Sequence, residues 1–216
     1  MAQDLPIFPL SLVLVPGERL PLHIFEPRYQ EMLDRCVDQD EPFVLVLEDE
    51  AGLRDVGCTA EVTDVLERFA DGRANIMTIG RTPVRISDEH GAHAYRSALA
   101  EPLQDEPAEA SEADQAAALA AFSGVADELP DDPPDLPAPG PGLSYALVAR
   151  IDLGLDVKQS LLEDRSETRR LQMVTELLEE VRRGLIITRE TQERARRNGR
   201  VRTPEELAAE LGLDDA

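Results

Sequence analysis

The chain has 216 residues, 42% of them apolar, which is enough for one sizeable domain with a core of its own and too apolar for a wholly disordered protein. Against 44 Asp and Glu stand 22 Lys and Arg, and the resulting charge of −22 repels nucleic-acid phosphate and anionic lipid. Only one basic residue, Lys158, is a lysine, there is no Trp, and aromatics make up 4%, so aliphatic side chains carry most of the core around five Phe and three Tyr.

The first third reads as short strands. Leu5 to Leu10 and Leu12 to Val15 are brief apolar runs punctuated by proline, and Pro16-Gly17 supplies a turn before a third run, Leu20 to Phe25. Pro27 sits where a helix can begin, and Tyr29, Met32, Leu33, Cys36 and Val37 then recur on one helical face that suits packing onto a sheet. Phe43 to Leu47 is a continuous apolar run whose length fits a strand buried on both faces. Val56 to Phe69 and Ala74 to Arg81 flank Asp71-Gly72, a dipeptide that accepts the positive φ of a tight hairpin, and predict an antiparallel pair. Pro83 to Ile86 and Ala94 to Leu99 add two more strand candidates, so a small mixed barrel with one inserted helix is expected.

Near position 101 the composition changes. Eleven acids and no Lys or Arg lie between Glu101 and Asp135, and six prolines lie between Pro130 and Pro141, so part of this stretch is expected to be solvated linker. Inside it, the Ala-rich segment Glu109 to Leu129 spaces Leu119, Phe122 and Val125 for a helix that Pro130 ends. The last third reads as helices capped by Ser144, by Asp156 and by Ser166, the last carrying a stripe of Leu171, Val174, Leu178 and Val181. Thr203-Pro204-Glu205-Glu206 opens a further short helix that Gly212 stops. Before it, Arg182 to Arg202 holds eight Arg against two Glu. Four segments follow: 1–103 barrel, 104–142 acidic connection with one helix, 143–187 bundle and 188–216 Arg-rich helical tail.

The chemistry that these residues exclude is more definite than the chemistry they offer. A phosphate-binding loop needs a lysine after a glycine-rich turn, yet Lys158 follows Val157. A serine–lysine dyad would also have to use Lys158, and Ser160, two residues on, points to nearly the opposite side of a helix. Cys36 and Cys58 are too few for a disulfide framework or a four-ligand zinc site and read as buried thiols. His90 and His93 read as exposed loop residues, and no Gly-x-Ser-x-Gly elbow occurs. No catalytic residue, metal or cofactor is therefore expected. An N-terminus without basic residues ahead of a proline-broken apolar stretch fits neither a signal peptide nor a membrane span, so a cytoplasmic protein without membrane partners is expected.

The strongest local signal is Leu20-Pro21-Leu22-His23-Ile24-Phe25-Glu26-Pro27-Arg28-Tyr29, a strand that turns at Pro27 into a helix with Glu26 placed to cap it and Arg28 placed to pair with a carboxylate. His23, Phe25, Glu26, Arg28 and Tyr29 are the candidate residues for contact with a protein or peptide.

These residues also carry a family resemblance. Leu5-Pro6-Ile7-Phe8-Pro9-Leu10, Val13-Leu14-Val15-Pro16-Gly17 and Leu20 to Tyr29 resemble the opening of the N-terminal, substrate-binding domain of the Lon ATP-dependent proteases. Val56 to Val62, Asp71-Gly72-Arg73 and Gly80-Arg81 are similar to its middle, and Lys158-Gln159-Ser160-Leu161-Leu162-Glu163 with Arg169, Arg170 and Leu171 to its helical half, over about residues 5 to 183 in all. The resemblance implies an α+β fold: a PUA-like mixed β pseudo-barrel with an inserted helix, followed by a C-terminal helical bundle. It further implies a non-catalytic module, lacking the family's ATPase and protease domains, that recognises unfolded polypeptide segments or docks onto a protein partner. A groove between barrel and bundle is one expected place for such a segment. The alternative is an RNA-binding PUA-like protein that uses the Arg-rich segment, a reading opposed by the −22 charge and by the lack of interleaved aromatics there.

Overall fold

The computed structural model describes residues 1–91, 93–129 and 135–198. In chain order the elements are β1 (Gln3–Leu10), β2 (Arg19–Ile24), α1 (Pro27–Gln39), β3 (Phe43–Asp49), β4 (Gly52–Arg68), β5 (Ala74–His90) and β6 (Ser97–Pro102), then α2 (Glu112–Ala126), α3 (Leu143–Val148), α4 (Leu155–Glu163) and α5 (Glu167–Asn198). The strands run in the order β2-β5-β4-β3-β1-β6, and a further pairing of β5 with β6 closes five of them into a ring. Only β1 and β3 are parallel; the other pairs are antiparallel. β2 hangs on the first half of β5 outside the ring, and among the described residues its other edge has no strand partner.

The run Phe43 to Leu47 is buried throughout because each face meets a different core. Val44 and Val46 pack with Leu5, Ile7, Val84, Ile86, Ala98 and Ala100, while Phe43, Leu45 and Leu47 face a larger core with Phe8, the buried side of α1 and the apolar stripes of α2 to α5. The period of two along β1 and β3 sorts their side chains between the two. Pro27 occupies the first turn of α1, and Asp40 ends that helix in the left-handed region at φ 51°, which a short polar side chain tolerates.

Several boundaries differ from the sequence expectation. Leu12 to Val15 is not a strand: Val13, Leu14 and Val15 are buried, but the segment crosses β5 at Gly80, where a side chain on Gly80 would lie 2.2 Å from the Val15 carbonyl. Gly17 N–H donates to Gly80 O and Gly80 N–H to Glu18 O, so the chain is pinned crosswise rather than laddered. Ala74–Arg81 and Pro83–Ile86 are one strand, β5, because a bulge against β4 near Cys58 and Ala60 accommodates Pro83, with Thr59 Oγ1 accepting from Thr82 N–H at 3.0 Å. β6 starts three residues later than expected, leaving Tyr95 as a buried anchor ahead of it. α2 spans Glu112–Ala126, capped by Ser111.

In the bundle, Ser166 caps α5 as expected, its Oγ accepting from Arg169 N–H. Ser144 and Asp156 are not caps. Gly142 at φ 73° precedes α3 and Gly154 at φ 87° precedes α4, and these backbone angles favour glycine. α5 runs unbroken across positions 187 and 188, where the sequence suggests a boundary. The expected helix from Thr203 to Gly212 lies outside the described residues.

Candidate functional site

β2 leads into α1 through Phe25 and Glu26, and this corner meets the tip of the β4–β5 hairpin. Gly72 turns that hairpin at φ 89°, and a side chain there would collide with Gln30 of α1 at 2.5 Å. Gln30 Nε2 in turn donates to the Phe25 carbonyl at 3.0 Å, which holds Phe25 in place although its ring is 60% exposed. The His23 ring stacks beside Phe25 at 6.0 Å and meets Phe69 edge-on at 6.3 Å, and the Arg73 guanidinium covers Phe69 at 5.1 Å. Beneath these rings a polar row crosses three strands: His23 Nδ1 lies 2.6 Å from Asn75 Oδ1, and Asn75 Nδ2 donates to Glu67 at 3.1 Å. Aromatic faces, a polar row and an unpaired strand edge thus share one solvent-facing surface.

The five sequence candidates divide here. His23, Phe25, Glu26 and Arg28 lie at the surface, Glu26 and Arg28 joined by an ion pair at 2.8 Å. Tyr29 does not: it is a core anchor packed on Phe8 at 4.3 Å, with burial raising its phenol pKa, and only the Arg28 guanidinium covers it from outside. Glu26 occupies the cap position without capping by its side chain, since its carboxylate goes to Arg28 and its main-chain carbonyl receives the N–H groups of Tyr29 and Gln30.

A second cluster, on the seam between barrel and bundle, was not among the candidates. Arg170 is fully buried; it makes two hydrogen bonds to Asp105 (2.8 and 2.5 Å), others to Glu167, Ser144 and the Asp164 carbonyl, and lies over the Tyr145 ring at 4.4 Å. Desolvation works against its charge, but the bonds to Asp105 and the neighbouring negative groups outweigh it and hold the guanidinium more firmly protonated than usual. Ser144 donates its hydroxyl to Glu167 at 2.7 Å, which is why it sits inside α3 rather than at its cap. Nearby, Lys158 Nζ is held 2.7 Å from Glu18, and Gln159 Nε2 donates to the Val56 carbonyl. These contacts fill this part of the seam, where the sequence suggested a peptide groove. An open groove of about 490 Å³ does lie farther along, between Arg85, Glu101 to Gln104 and Arg165, and it is mostly polar.

Residues 4–180 match the family described as the ATP-dependent protease La (LON) substrate-binding domain. The chain belongs to this family. Its fold is similar to that of a Lon N-terminal domain protein from Xanthomonas campestris, with a TM-score of 0.59 and 20% identity over 80% of this chain and 96% of that one. The N-terminal domain of a Mycobacterium avium complex Lon protease gives a TM-score of 0.59 at 16% identity, covering 82% of this chain and 98% of that one. Among curated proteins, zebrafish (Danio rerio) cereblon is 33% identical over 94 residues, which are 40% of this chain and only 22% of that protein.

Within the Lon-domain fold, the Lys-Gln and Arg-Arg segments that carry the family resemblance are therefore architectural: Lys158, Gln159 and Arg170 tie α4 and α5 to the barrel and to its exit segment. Lys158 is committed to Glu18. Cys36 and Cys58 are buried as expected, and desolvation pushes both thiols up to about 12. His90 ends β5 and pairs with Asp4, whereas His93 stacks on Tyr95. Among the described residues no cluster of three or more His, Cys, Asp or Glu could hold a metal ion, and no helix is long and apolar enough to cross a membrane.

Proposed function

We propose that the chain is a polypeptide-binding module that engages extended protein segments at the corner of His23, Phe25, Glu26 and Arg28, without transforming them, in the cytoplasm. The observation that carries this reading is Phe25, 60% exposed and stacked beside His23, whose ring in turn meets Phe69, next to the open edge of β2. Large exposed aromatics rimmed by polar groups mark interaction surfaces, and an unpaired strand edge offers main-chain hydrogen bonds to an extended peptide. Membership of the Lon substrate-binding family supports the same class of ligand. RNA binding by the Arg-rich segment has less support, since Arg182 lies against Gly124 of α2 and Arg189 pairs with Glu128.

The test is titration of the full chain with fluorescent peptides tiled from an unfolded protein. Removing a buried Phe contact costs roughly 1.5–3 kcal/mol, so Phe25→Ala is expected to weaken the best peptides by about tenfold or more while leaving the unfolding midpoint unchanged. Wild-type affinity in that variant would move the binding surface elsewhere.

A further inference from the structure

We infer that His23 sets the specificity of the corner: Asn75 and Glu67 hold its ring with the proton on Nδ1, and the bare Nε2 accepts a hydrogen bond from a lysine or arginine side chain of the bound segment. This role rests on the polypeptide-binding reading above and gives the bound segment a chemical class. His23, Asn75 and Glu67 stand opposite one another on β2, β5 and β4, so their side chains form one row across the face of the sheet. A carboxylate only accepts, so the bond from Asn75 Nδ2 to Glu67 at 3.1 Å turns the amide nitrogen towards β4 and the amide oxygen towards β2. That oxygen also only accepts, so its contact with His23 Nδ1, 2.6 Å away, is a hydrogen bond only when Nδ1 carries a proton. The opposite orientation of the amide would set its oxygen against the Glu67 carboxylate, acceptor against acceptor. Glu67 thus selects the imidazole tautomer from two strands away.

With Nδ1–H committed, Nε2 is what the uncharged ring offers a ligand. His23 is exposed, and among the described residues its Nε2 has no hydrogen-bond partner. The ring is not free to swing: besides the bond to Asn75, it stacks beside Phe25 at 6.0 Å with 18° between the planes, and it meets Phe69 edge-on. The cations of the corner are already engaged, Arg28 with Glu26, and Arg73 with Asp71 and over the Phe69 ring. An acceptor beside a 60% exposed aromatic face suits a side chain with an apolar stem and a donor at its head. Lys and Arg have that form: the stem lies along Phe25 while the head donates to Nε2. Met matches the stem without the donor. Glu brings a second acceptor to Nε2, and the net charge of −22 opposes it as well. The corner therefore ranks Lys and Arg above Met, and Met above Glu.

The experiment is fluorescence titration of the full chain, at about pH 8 and about 0.15 M salt, with extended peptides alike except for one central residue, Lys, Arg, Met or Glu, between apolar neighbours. The Lys and Arg peptides are expected to bind about tenfold more tightly than the Met peptide. His23→Phe keeps a ring beside Phe25 and leaves the net charge unchanged. It should bring the Lys and Met peptides to within about twofold of each other while holding the Met peptide within about threefold of its wild-type affinity. A preference that survives in His23→Phe would come from the overall charge of the chain and would overturn the inference, as would equal binding of the Lys and Met peptides to wild type. Asn75 and Glu67 are positioning residues, so their readout is NMR of the His23 ring nitrogens, recognised by their absence in His23→Phe. Wild type should show hydrogen on Nδ1, and Asn75→Ala should show both tautomers. Hydrogen on Nε2 in wild type, or a single tautomer in Asn75→Ala, would also overturn it. Equal Lys and Met affinities that both fall in Phe25→Ala would remove this specificity and leave the polypeptide-binding corner standing, whereas no binding of any peptide to wild type would remove both.

Discussion

Two arginines in this molecule make the same local contacts to opposite effect. Arg170 and Arg28 each pair with a carboxylate and each lie over a tyrosine ring, at 4.4 and 4.6 Å. Arg170 is fully buried, and its side chain joins α5 to α3, to the end of α4 and to the segment that follows β6; the Arg28 side chain is 49% exposed and contacts only its immediate neighbours. Water screens the second pair and is excluded from the first, so one cluster holds the fold together and the other is free to face a partner.

The sharpest way to break that comparison is Arg170→Met, which leaves Glu167 and Ser144 buried without their cation. A loss of about 3–5 kcal/mol is expected from the urea midpoint, and a loss below about 1 kcal/mol would mean that the cluster is not what fastens the bundle. Lys158→Met should cost less, about 1–3 kcal/mol, because Glu18 keeps its hydrogen bond from Val15 N–H. Acid titration addresses the same seam. The hydrogen bonds from Arg169 hold the Asp164 carboxyl below its ordinary value of 3.8, with burial opposing them. A carboxyl depressed in the folded state contributes stability above its unfolded pKa and loses it as the pH falls through the folded one. The stability gap between wild type and Asp164→Asn should therefore be full at pH 6 and narrow below about pH 4. The smallest effect is expected of Arg28→Ala, within about 0.5 kcal/mol by thermal or urea unfolding, since an exposed pair contributes little.

Much of the fold was legible because local chemistry and tertiary packing agree there. Pro27 with the Tyr29, Met32, Leu33 and Cys36 face gave α1 to its first residue, although Val37, expected on that face, is 41% exposed, and Asp71-Gly72 gave the hairpin. Where long-range packing decides, the pattern misled: Leu12 to Val15 is apolar because it is buried across Gly80, and Ser144 is a serine because Glu167 and Arg170 need its hydroxyl. Tyr29 shows the same limit at the candidate site, since nothing local distinguishes a ring packed on Phe8 from one facing solvent. The seam had a readable signal. Arg170 stands four residues before Val174 on the buried stripe of α5, and a cation at a core position requires acids gathered around it.

β5 is one strand of seventeen residues whose first part carries β2 and whose later part closes the ring with β6. The corner and the barrel therefore share a single continuous backbone and belong to one cooperative unit. Amide hydrogens of β5 between Asn75 and Thr78 that face β4 should exchange with solvent only as the barrel itself opens, so the proposed contact surface is carried on a protected part of the chain.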